Sequence, residues 1–219
     1  MKAASEAQRR MILVGAIIGC GIVTAAVPAF AANFSARETS RGLHVDRAGG
    51  AMGKLSSNGW FRRPGEPMFV YREGGKTVAG VWVGSSDAAM VRSGTTESSP
   101  LVGRIVPAWK DGQLWLTIEP AGGAAVQTTV FQRASGGGAL DRHTSTWEAL
   151  QGSYRATLQA GGKDAGWLSV DVNAEGGARF SGDLPASIPP ALAAAAAASI
   201  EDEVNYIYGN LSDVNPLMR

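Results

Sequence analysis

Apolar and polar residues alternate in short runs from about residue 60 to residue 184, and glycine turns separate the runs. Alternation with a period of two is typical of a β-strand that buries one face. About eight such runs occur, and strands joined by short turns pair as an antiparallel meander. The pattern therefore predicts a mainly β protein, in which an antiparallel meander forms a small barrel or sandwich of about eight strands.

The clearest hairpin is GRIVPAWKDGQLWLTIEP, residues 103–120. Asp111 and Gly112 form its two-residue turn, since both tolerate the positive φ angles that such a turn requires. The turn fixes the register and puts Arg104 opposite Glu119 as a pair of unlike charges. On the other face it brings together three apolar pairs: Trp109 with Leu114, Pro107 with Leu116, and Ile105 with Ile118.

A second hairpin, MFVYREGGKTVAGVWVG, spans residues 68–84. Gly74 and Gly75 form its turn, and Glu73 then lies opposite Lys76. A regular register puts the following residues on one face: Phe69, Tyr71, Val78, Gly80 and Trp82. Further strands are predicted by the segments AAVQTTVFQRA, GSYRATLQ, GWLSVDVN and GARFSGDL.

An alanine-rich C-terminal helix is predicted in ALAAAAAASIEDEVNYIYGN, which follows Pro189 and Pro190. Alanine has the highest helix propensity, proline suits a first turn, and Gly209 is placed to end the helix. A narrow apolar stripe recurs at helical spacing: Ile200, Val204, Ile207 and Leu211. We expect the helix to pack across the β domain. The alternative is a docking helix for a partner, because the alanine half has little side chain to hold it on its own domain.

Residues 1–31 have the three parts of a signal peptide. Arg9 and Arg10 precede an apolar stretch at 11–27, and a proline and a small-residue site follow, which ends at Ala31. This order of basic, apolar and small residues predicts export with cleavage after Ala31.

Two alternatives use the same residues. The first is an uncleaved inner-membrane anchor, since the 22 residues at 11–32 are close to the ~20 that span a bilayer. The second is lipidation of Cys20, because Ile17-Ile18-Gly19-Cys20 resembles the bacterial lipobox. We expect the protein at a membrane only in these two cases.

Composition divides the remaining chain into three segments. Residues 32–57 are polar, glycine-rich and basic, and they are predicted to form a loosely ordered arm. Its charge could pair with the acidic C-terminal stretch that holds Glu201, Asp202, Glu203 and Asp213. The antiparallel β domain is predicted to span residues 58–186. A Pro/Ala-rich segment with the C-terminal helix occupies residues 187–219.

Charge and composition exclude several classes of function. The chain has 20 basic and 19 acidic residues, and three of the basic residues and one of the acidic residues lie in residues 1–31. The remaining 17 basic and 18 acidic residues nearly balance, which gives no sign of nucleic-acid binding. Cys20 is the only cysteine, so a processed chain has no disulfide and no thiolate site. The two histidines, His44 and His143, have no zinc-binding spacing, and no nucleophile elbow or phosphate loop occurs. We therefore expect no cofactor, no metal and no catalytic residue.

The aromatic residues offer one candidate binding site. Most of the six tryptophans are expected in the core, because large rings favour buried strand positions. Trp60 differs, since NGWFRRPGEP indicates a surface turn that also carries Arg62 and Arg63. A ring beside two guanidinium groups suits an anionic or carbohydrate group. Trp60, Arg62 and Arg63 are therefore the predicted binding residues, and the alternative is a strand end with solvated arginines.

An export signal and a β domain without catalytic motifs predict a noncatalytic bacterial cell-envelope protein, periplasmic or secreted. We expect it to bind or scaffold another envelope component, either a protein or a glycan. One alternative is a carrier that holds a small ligand inside a β-barrel. A second is a hydrolase of envelope polymers, which would have to bring His143 together with Asp141 or Glu148.

Overall fold

The computed structural model describes residues 33–39, 42–47, 52–58, 63–84, 88–174 and 177–214. The predicted signal peptide, the alternative membrane anchor and Cys20 lie outside these residues. Within the described ranges, no helix combines the length and the apolar character needed to cross a bilayer.

Within the described residues, thirteen strands and two helices follow one another. The strands are β1 (Phe34–Thr39), β2 (Gly42–Arg47), β3 (Met52–Ser57), β4 (Phe69–Glu73), β5 (Lys76–Val83), β6 (Ala89–Arg92), β7 (Leu101–Lys110), β8 (Gln113–Pro120), β9 (Val126–Thr128), β10 (Gln132–Arg133), β11 (Gly152–Ala160), β12 (Lys163–Val172) and β13 (Ala178–Asp183). The helices are α1 (Trp147–Leu150) and α2 (Pro190–Val214).

The strands close into one antiparallel barrel. The order around it is β11, β12, β13, β1, and then β2 to β9, and β9 closes the ring by pairing with β11. The short β10 pairs with the same edge of β11 as β9 does, so the barrel has 12 strand positions. The mainly β, antiparallel prediction with a C-terminal helix is confirmed, whereas the predicted size of about eight strands is wrong.

The expected arm at residues 32–57 accounts for much of that difference, because it supplies β1, β2 and β3. Each of these strands is only six residues long and needs just two or three inward side chains. Sparse apolar residues in a polar segment are enough to provide them. The inward side chains are all 4% exposed or less: Phe34, Ala36, Leu43, Val45 and Leu55.

These strands also fix the start of the C-terminal helix. Asn33, just before β1, donates from Nδ2 to Asp183 Oδ1 at 2.7 Å and to the Leu184 carbonyl at 2.9 Å. The Arg47 guanidinium, at the end of β2, donates to the carbonyls of Pro185 and Ile188. The connection from β13 to α2 is therefore anchored by the segment that was expected to be loosely ordered.

Apolar side chains fill the barrel and polar side chains cover its outside. Strand β8 shows the alternation clearly, since Leu114, Leu116 and Ile118 are fully buried while Gln113 and Glu119 lie outside. Hydroxyl groups and charges occupy the outward positions of β11 and β12 in the same way. In these three strands the inward positions are therefore apolar, and most of the outward positions are polar.

Helix α2 runs through the interior of this barrel. Its seven consecutive residues Ala191–Ala197 are each 7% exposed or less, whereas a helix on a surface buries only one face. It contacts β2, β3, β5, β6, β7, β8 and β13, which together surround more than half of the circumference. At Gly103 on β7, an added Cβ would lie 2.8 Å from Leu192 Cδ2. The expectation that the helix packs across the β domain is therefore wrong.

Alanine suits this enclosed position because its side chain is small. Twelve strands about 4.8 Å apart and tilted by about 40° form a barrel roughly 23 Å across. A helix about 10 Å wide at its axis then leaves space for about one layer of inward strand side chains on each side. Larger residues on α2 would leave no space for that layer.

The two predicted hairpins have different outcomes. In residues 103–120 the register is confirmed pair by pair, including Arg104 with Glu119 and the three apolar pairs. Asp111 (φ 51°) and Gly112 (φ 80°) form the turn. In residues 68–84 Glu73 does lie opposite Lys76, but an irregularity after Tyr71 shifts the register by one residue. Consequently Phe69 lies opposite Val81 instead of Gly80, and Val78 is exposed.

The prediction that Gly209 ends the C-terminal helix is wrong, because α2 continues through Gly209 to Val214.

The tryptophans are less buried than expected. Trp109, Trp115 and Trp167 are half-buried, while Trp82 and Trp147 are 8% exposed. Trp115 and Trp167 take outward positions, where Lys110 Nζ lies 4.7 Å from the first ring centroid and the Arg155 guanidinium 4.3 Å from the second.

Candidate functional site

A cavity of about 1030 Å³ opens at the end of the barrel where α2 emerges. We call this the mouth. Its walls are the ends of β1, β3, β5 and β7, the beginnings of β2, β4 and β6, and the part of α2 from Ala195 to Tyr206. Its volume is at the upper end of the range usual for small-molecule sites, about 300–1,000 Å³.

The opposite side of the same barrel end is closed. The connection from β9 to β11 folds over it and buries Phe131, Leu140 and Leu150 completely. In α1, the Trp147 ring meets the Tyr208 ring of α2 edge-on, with centroids 4.7 Å apart. The mouth is therefore the open part of this end, and it lies on the side of β1 to β7.

The floor of the mouth is apolar. The strands contribute Leu43, Leu55, Phe69, Val81 and Ala89. Helix α2 contributes only Ala195 and Ala198 to the floor, and these small side chains leave open space where larger ones would fill it. An alanine surface on α2 thus both fits the helix into the barrel and makes room for a cavity beside it.

The rim of the mouth is acidic. Four carboxyl groups line it: Glu38 from β1, and Glu201, Asp202 and Glu203 from α2. Arg142, an exposed residue in the connection from β10 to α1, is the one cationic side chain among the described residues that line the mouth. Serine and threonine hydroxyl groups complete the polar part of the rim: Thr39, Ser56, Ser57 and Ser199.

Glu201 holds a proton at neutral pH. Burial raises its pKa from an ordinary 4.5 to about 8, and the charge of Glu38, a hydrogen bond with Glu38 and the charge of Asp202 act in the same direction. A buried carboxyl beside another carboxylate favours its neutral form, because charging it costs solvation and adds repulsion. The neutral form of Glu201 is therefore favoured beside Glu38.

Glu203 is oriented by an aromatic side chain. The indole Nε1–H of Trp109, near the end of β7, donates to Glu203 Oε2 at 2.8 Å. Trp109 also lines the mouth and is half-buried. The indole ring and the carboxylate are thus held side by side at the point where α2 leaves the barrel.

The mouth combines an apolar floor with carboxyl groups at its rim. A hydrogen bond between Glu38 and Glu201 places the two carboxyl groups closer than the about 5–9.5 Å that separates the acid pairs of glycoside hydrolases. Among the described residues, no three of the types His, Cys, Asp and Glu come together as metal ligands would. The acidic rim is therefore suited to compensating a positive charge on a bound molecule.

Of the three predicted binding residues, Trp60 and Arg62 lie outside the described residues. Arg63 is exposed in a surface turn, where its N–H donates to Glu66 Oε2 at 3.1 Å and its carbonyl accepts from the Glu66 N–H at 3.1 Å. This turn lies on the outer wall beside residues 95–98, and Arg63 is not among the residues that line the mouth. Trp82, which donates from Nε1 to the Gly65 carbonyl at 3.1 Å, holds the turn on the wall.

The histidine considered for hydrolase chemistry is also separate from the mouth. His143 is exposed, and its backbone N–H donates to Asp141 Oδ1 at 2.7 Å in a local turn. Neither residue lines the cavity. Glu148 is exposed on α1.

The acidic rim was missed at the level of sequence, although one signal of it was present. Residues 201–203 put three acids directly after an alanine run, and we expected them to pair with the basic segment at 32–57. The structure does bring that segment to α2, through contacts of β2 and β3. The residue that meets Glu201 is nevertheless Glu38, which is an acid. The sequence therefore predicted that this segment lies near the acidic part of α2, but it did not predict that the contacting residue is itself acidic.

Comparison of the chain with protein-family models, with curated proteins and with solved structures finds no match. The case for a function therefore depends on the geometry of the mouth.

Proposed function

We propose that this protein binds a small amphiphilic molecule in the mouth of its barrel, with no chemical change to that molecule. The observation that supports the proposal is the cavity of about 1030 Å³ with an apolar floor and a polar rim. An amphiphile places its apolar part on the floor and its head group at the rim, and each part then meets surface of its own kind.

This proposal favours the carrier over the scaffold among the functions considered from sequence. Docking through the alanine half of α2 is not open to a partner, since Ala191–Ala197 are enclosed by the barrel. We propose, on the basis of the predicted export signal at residues 1–31, that the protein acts in the bacterial envelope, either periplasmic or secreted. Envelope amphiphiles are then the pool from which its ligand comes.

The test uses N-phenyl-1-naphthylamine, a neutral apolar probe whose fluorescence rises in a dry environment. Two valines of β5 provide matched variants, because Val83 (42% exposed) lines the mouth and Val78 (38% exposed) does not. We expect the wild type and Val78→Trp to bind the probe with similar affinity. In Val83→Trp the indole occupies the rim, and the affinity falls about tenfold, which corresponds to about 1.4 kcal/mol.

Two results would overturn the proposal. One is the absence of saturable probe binding to the wild type. The other is equal affinity in the two variants, since that would place the bound probe somewhere other than the mouth. Matching unfolding curves for the two variants show that the comparison is made between folded proteins.

A further inference from the structure

We infer that the head group of the ligand is a cation, an amine or a quaternary ammonium group, and that it binds at the rim of the mouth beside Glu38 and Glu201. This inference depends on the proposed function and specifies the class of molecule that the mouth takes. It is carried by the shape of the cavity together with the distribution of charge around it.

The carboxyl groups of the mouth lie above its apolar floor. The carboxyl groups of α2 begin at Glu201, one turn after Ala198, so they lie at the opening and the floor lies deeper. A molecule that extends its apolar part along Ala195 and Ala198 has its head at the level of Glu201 and Glu38. An anionic head at that level would meet like charge, and a cationic head would meet opposite charge.

Acidic residues outnumber basic residues in the described lining of the mouth. Glu38, Asp202 and Glu203 face the opening together with Glu201, and Arg142 is the cation that faces them among the described residues of the lining. Among the described residues of the lining, the carboxylates therefore outnumber the cations even while Glu201 is protonated. A cation compensates that excess, whereas a neutral head group does not.

The Trp109 indole adds a third element. It lines the cavity next to the Glu203 carboxylate that it hydrogen-bonds. An aromatic ring beside carboxylates is the combination that recognises ammonium groups, since the ring quadrupole and the full negative charges attract the same ligand.

The proton on Glu201 links binding to pH. A cation near Glu201 favours the ionised form of this carboxyl group, so its arrival lowers the pKa of Glu201 from about 8 and releases the proton. The groups that face Glu201 act together in this step: Glu38 from β1, Asp202 and Glu203 from α2, and Arg142 from the connection before α1. Affinity for a cationic amphiphile therefore rises with pH up to about pH 8, and affinity for a neutral one does not.

The experiment compares three amphiphiles that share a ten-carbon chain and differ in the head group: decyltrimethylammonium, decyl glucoside and decanoate. Each displaces bound N-phenyl-1-naphthylamine from the wild-type protein at concentrations below micelle formation. We expect decyltrimethylammonium to displace the probe at a concentration at least about tenfold lower than either of the others. Its advantage over decyl glucoside should grow several-fold from pH 6 to pH 8.

The outcomes separate the inference from the proposed function. Equal displacement by all three compounds, or better displacement by decanoate, overturns the cation inference and leaves the binding function standing. Failure of the probe and of every amphiphile to bind overturns both.

A pair of variants tests the role of the carboxyl pair. Glu201→Gln keeps the shape of the side chain but cannot ionise, so we expect it to lose the pH dependence of cation binding. Glu148→Gln removes an exposed carboxylate of α1 that does not line the mouth, so it should bind the neutral probe as the wild type does and keep the pH dependence of cation binding. A Glu201→Gln protein whose cation affinity still rises with pH as in the wild type would overturn the proton release.

Discussion

The Trp109 indole N–H donates to the Glu203 carboxylate at 2.8 Å, which ties strand β7 to helix α2 at the mouth of the barrel. The two residues are 94 positions apart in the chain, so the bond holds the end of the central helix against the wall. Hydrogen bonds to a charged acceptor contribute about 1.5–3 kcal/mol, and partial exposure places this one near the lower end. We expect Trp109→Phe to lower the free energy of unfolding by about 1–2 kcal/mol in urea titrations.

Trp115→Phe is the matched control for this prediction. Trp115 is also half-buried, but it lies on the outer face of β8, where Lys110 Nζ approaches its ring at 4.7 Å. Loss of an exposed cation–π contact costs about 0.5–1 kcal/mol. Equal destabilisation by the two substitutions would show that the bond to Glu203 contributes no more than the exposed cation–π contact of Trp115.

Because α2 lies inside the barrel, leucine substitutions at two alanines one turn apart should have different effects on stability and on probe binding. Ala194 is 0% exposed inside the barrel, and Ala198 is half-buried against the open cavity. Ala194→Leu adds three carbon atoms where there is no space, and we expect a loss of about 1–3 kcal/mol in the free energy of unfolding. Ala198→Leu extends into the mouth instead, so the protein stays nearly as stable and binds the neutral probe more weakly.

Urea titrations and probe binding, measured on both variants, check this prediction. The comparison is internal, since the two substitutions are chemically identical and lie on one helix. If Ala194→Leu is as stable as Ala198→Leu, then the helix is not enclosed as described.

Local geometry explains which parts of the fold could be predicted. The 103–120 hairpin was foreseen pair by pair because its two-residue turn determines the register, and the alternation and the Arg104–Glu119 charge pair agree with it. In residues 68–84 the same reasoning failed after Tyr71, because a single irregularity moves every later side chain to the other face. A bulge leaves no distinct sign in a regular alternating sequence.

Long-range relationships were beyond sequence reasoning for a different reason. Closure of the barrel depends on the pairing of β9 with β11, across a connection that contains β10 and α1. A run of alanines fits a helix on a surface and a helix inside a barrel equally well, because it has almost no polar face to distinguish them. The meeting of Glu38 with Glu201 follows from that placement of the helix and is not encoded by any motif.

The protonation of Glu201 predicts how stability depends on pH. Its pKa is about 8 in the folded protein and 4.5 ordinarily, so between these values the unfolded chain has lost a proton that the folded protein keeps. Folding then takes up a proton, and the contribution of Glu201 to the free energy of unfolding falls as pH rises from about 4.5 to about 8. Below and above this window its contribution does not change with pH.

Glu201→Gln removes this dependence. We expect the free energy of unfolding of the variant, relative to the wild type, to rise steadily across pH 5–8, and the variant to be the more stable protein at pH 8.5. Glu148→Gln is the control, because it removes a carboxylate at the same end of the barrel but outside the mouth. Its free energy of unfolding shows the effect of losing such a carboxylate. A constant difference between Glu201→Gln and the wild type over the whole range would contradict a raised pKa of Glu201 in the native protein.

Alanine substitutions at two hairpin glycines with nearly the same φ distinguish two contributions to the loss of stability. One is the cost of a left-handed backbone, and the other is the cost of a steric contact. Gly75 (φ 81°) has nothing within 4 Å of an added Cβ, whereas a Cβ on Gly112 (φ 80°) would lie 2.6 Å from His143 Cδ2 and 2.7 Å from Asp141 Oδ1. Both alanine variants lose about 1 kcal/mol from the positive φ. Gly112→Ala must also displace the Asp141 carboxylate, which accepts the His143 N–H, and we expect it to lose about 1 kcal/mol more in thermal or urea unfolding. If both variants are destabilised equally, the 141–143 turn does not pack on the hairpin as the structure shows.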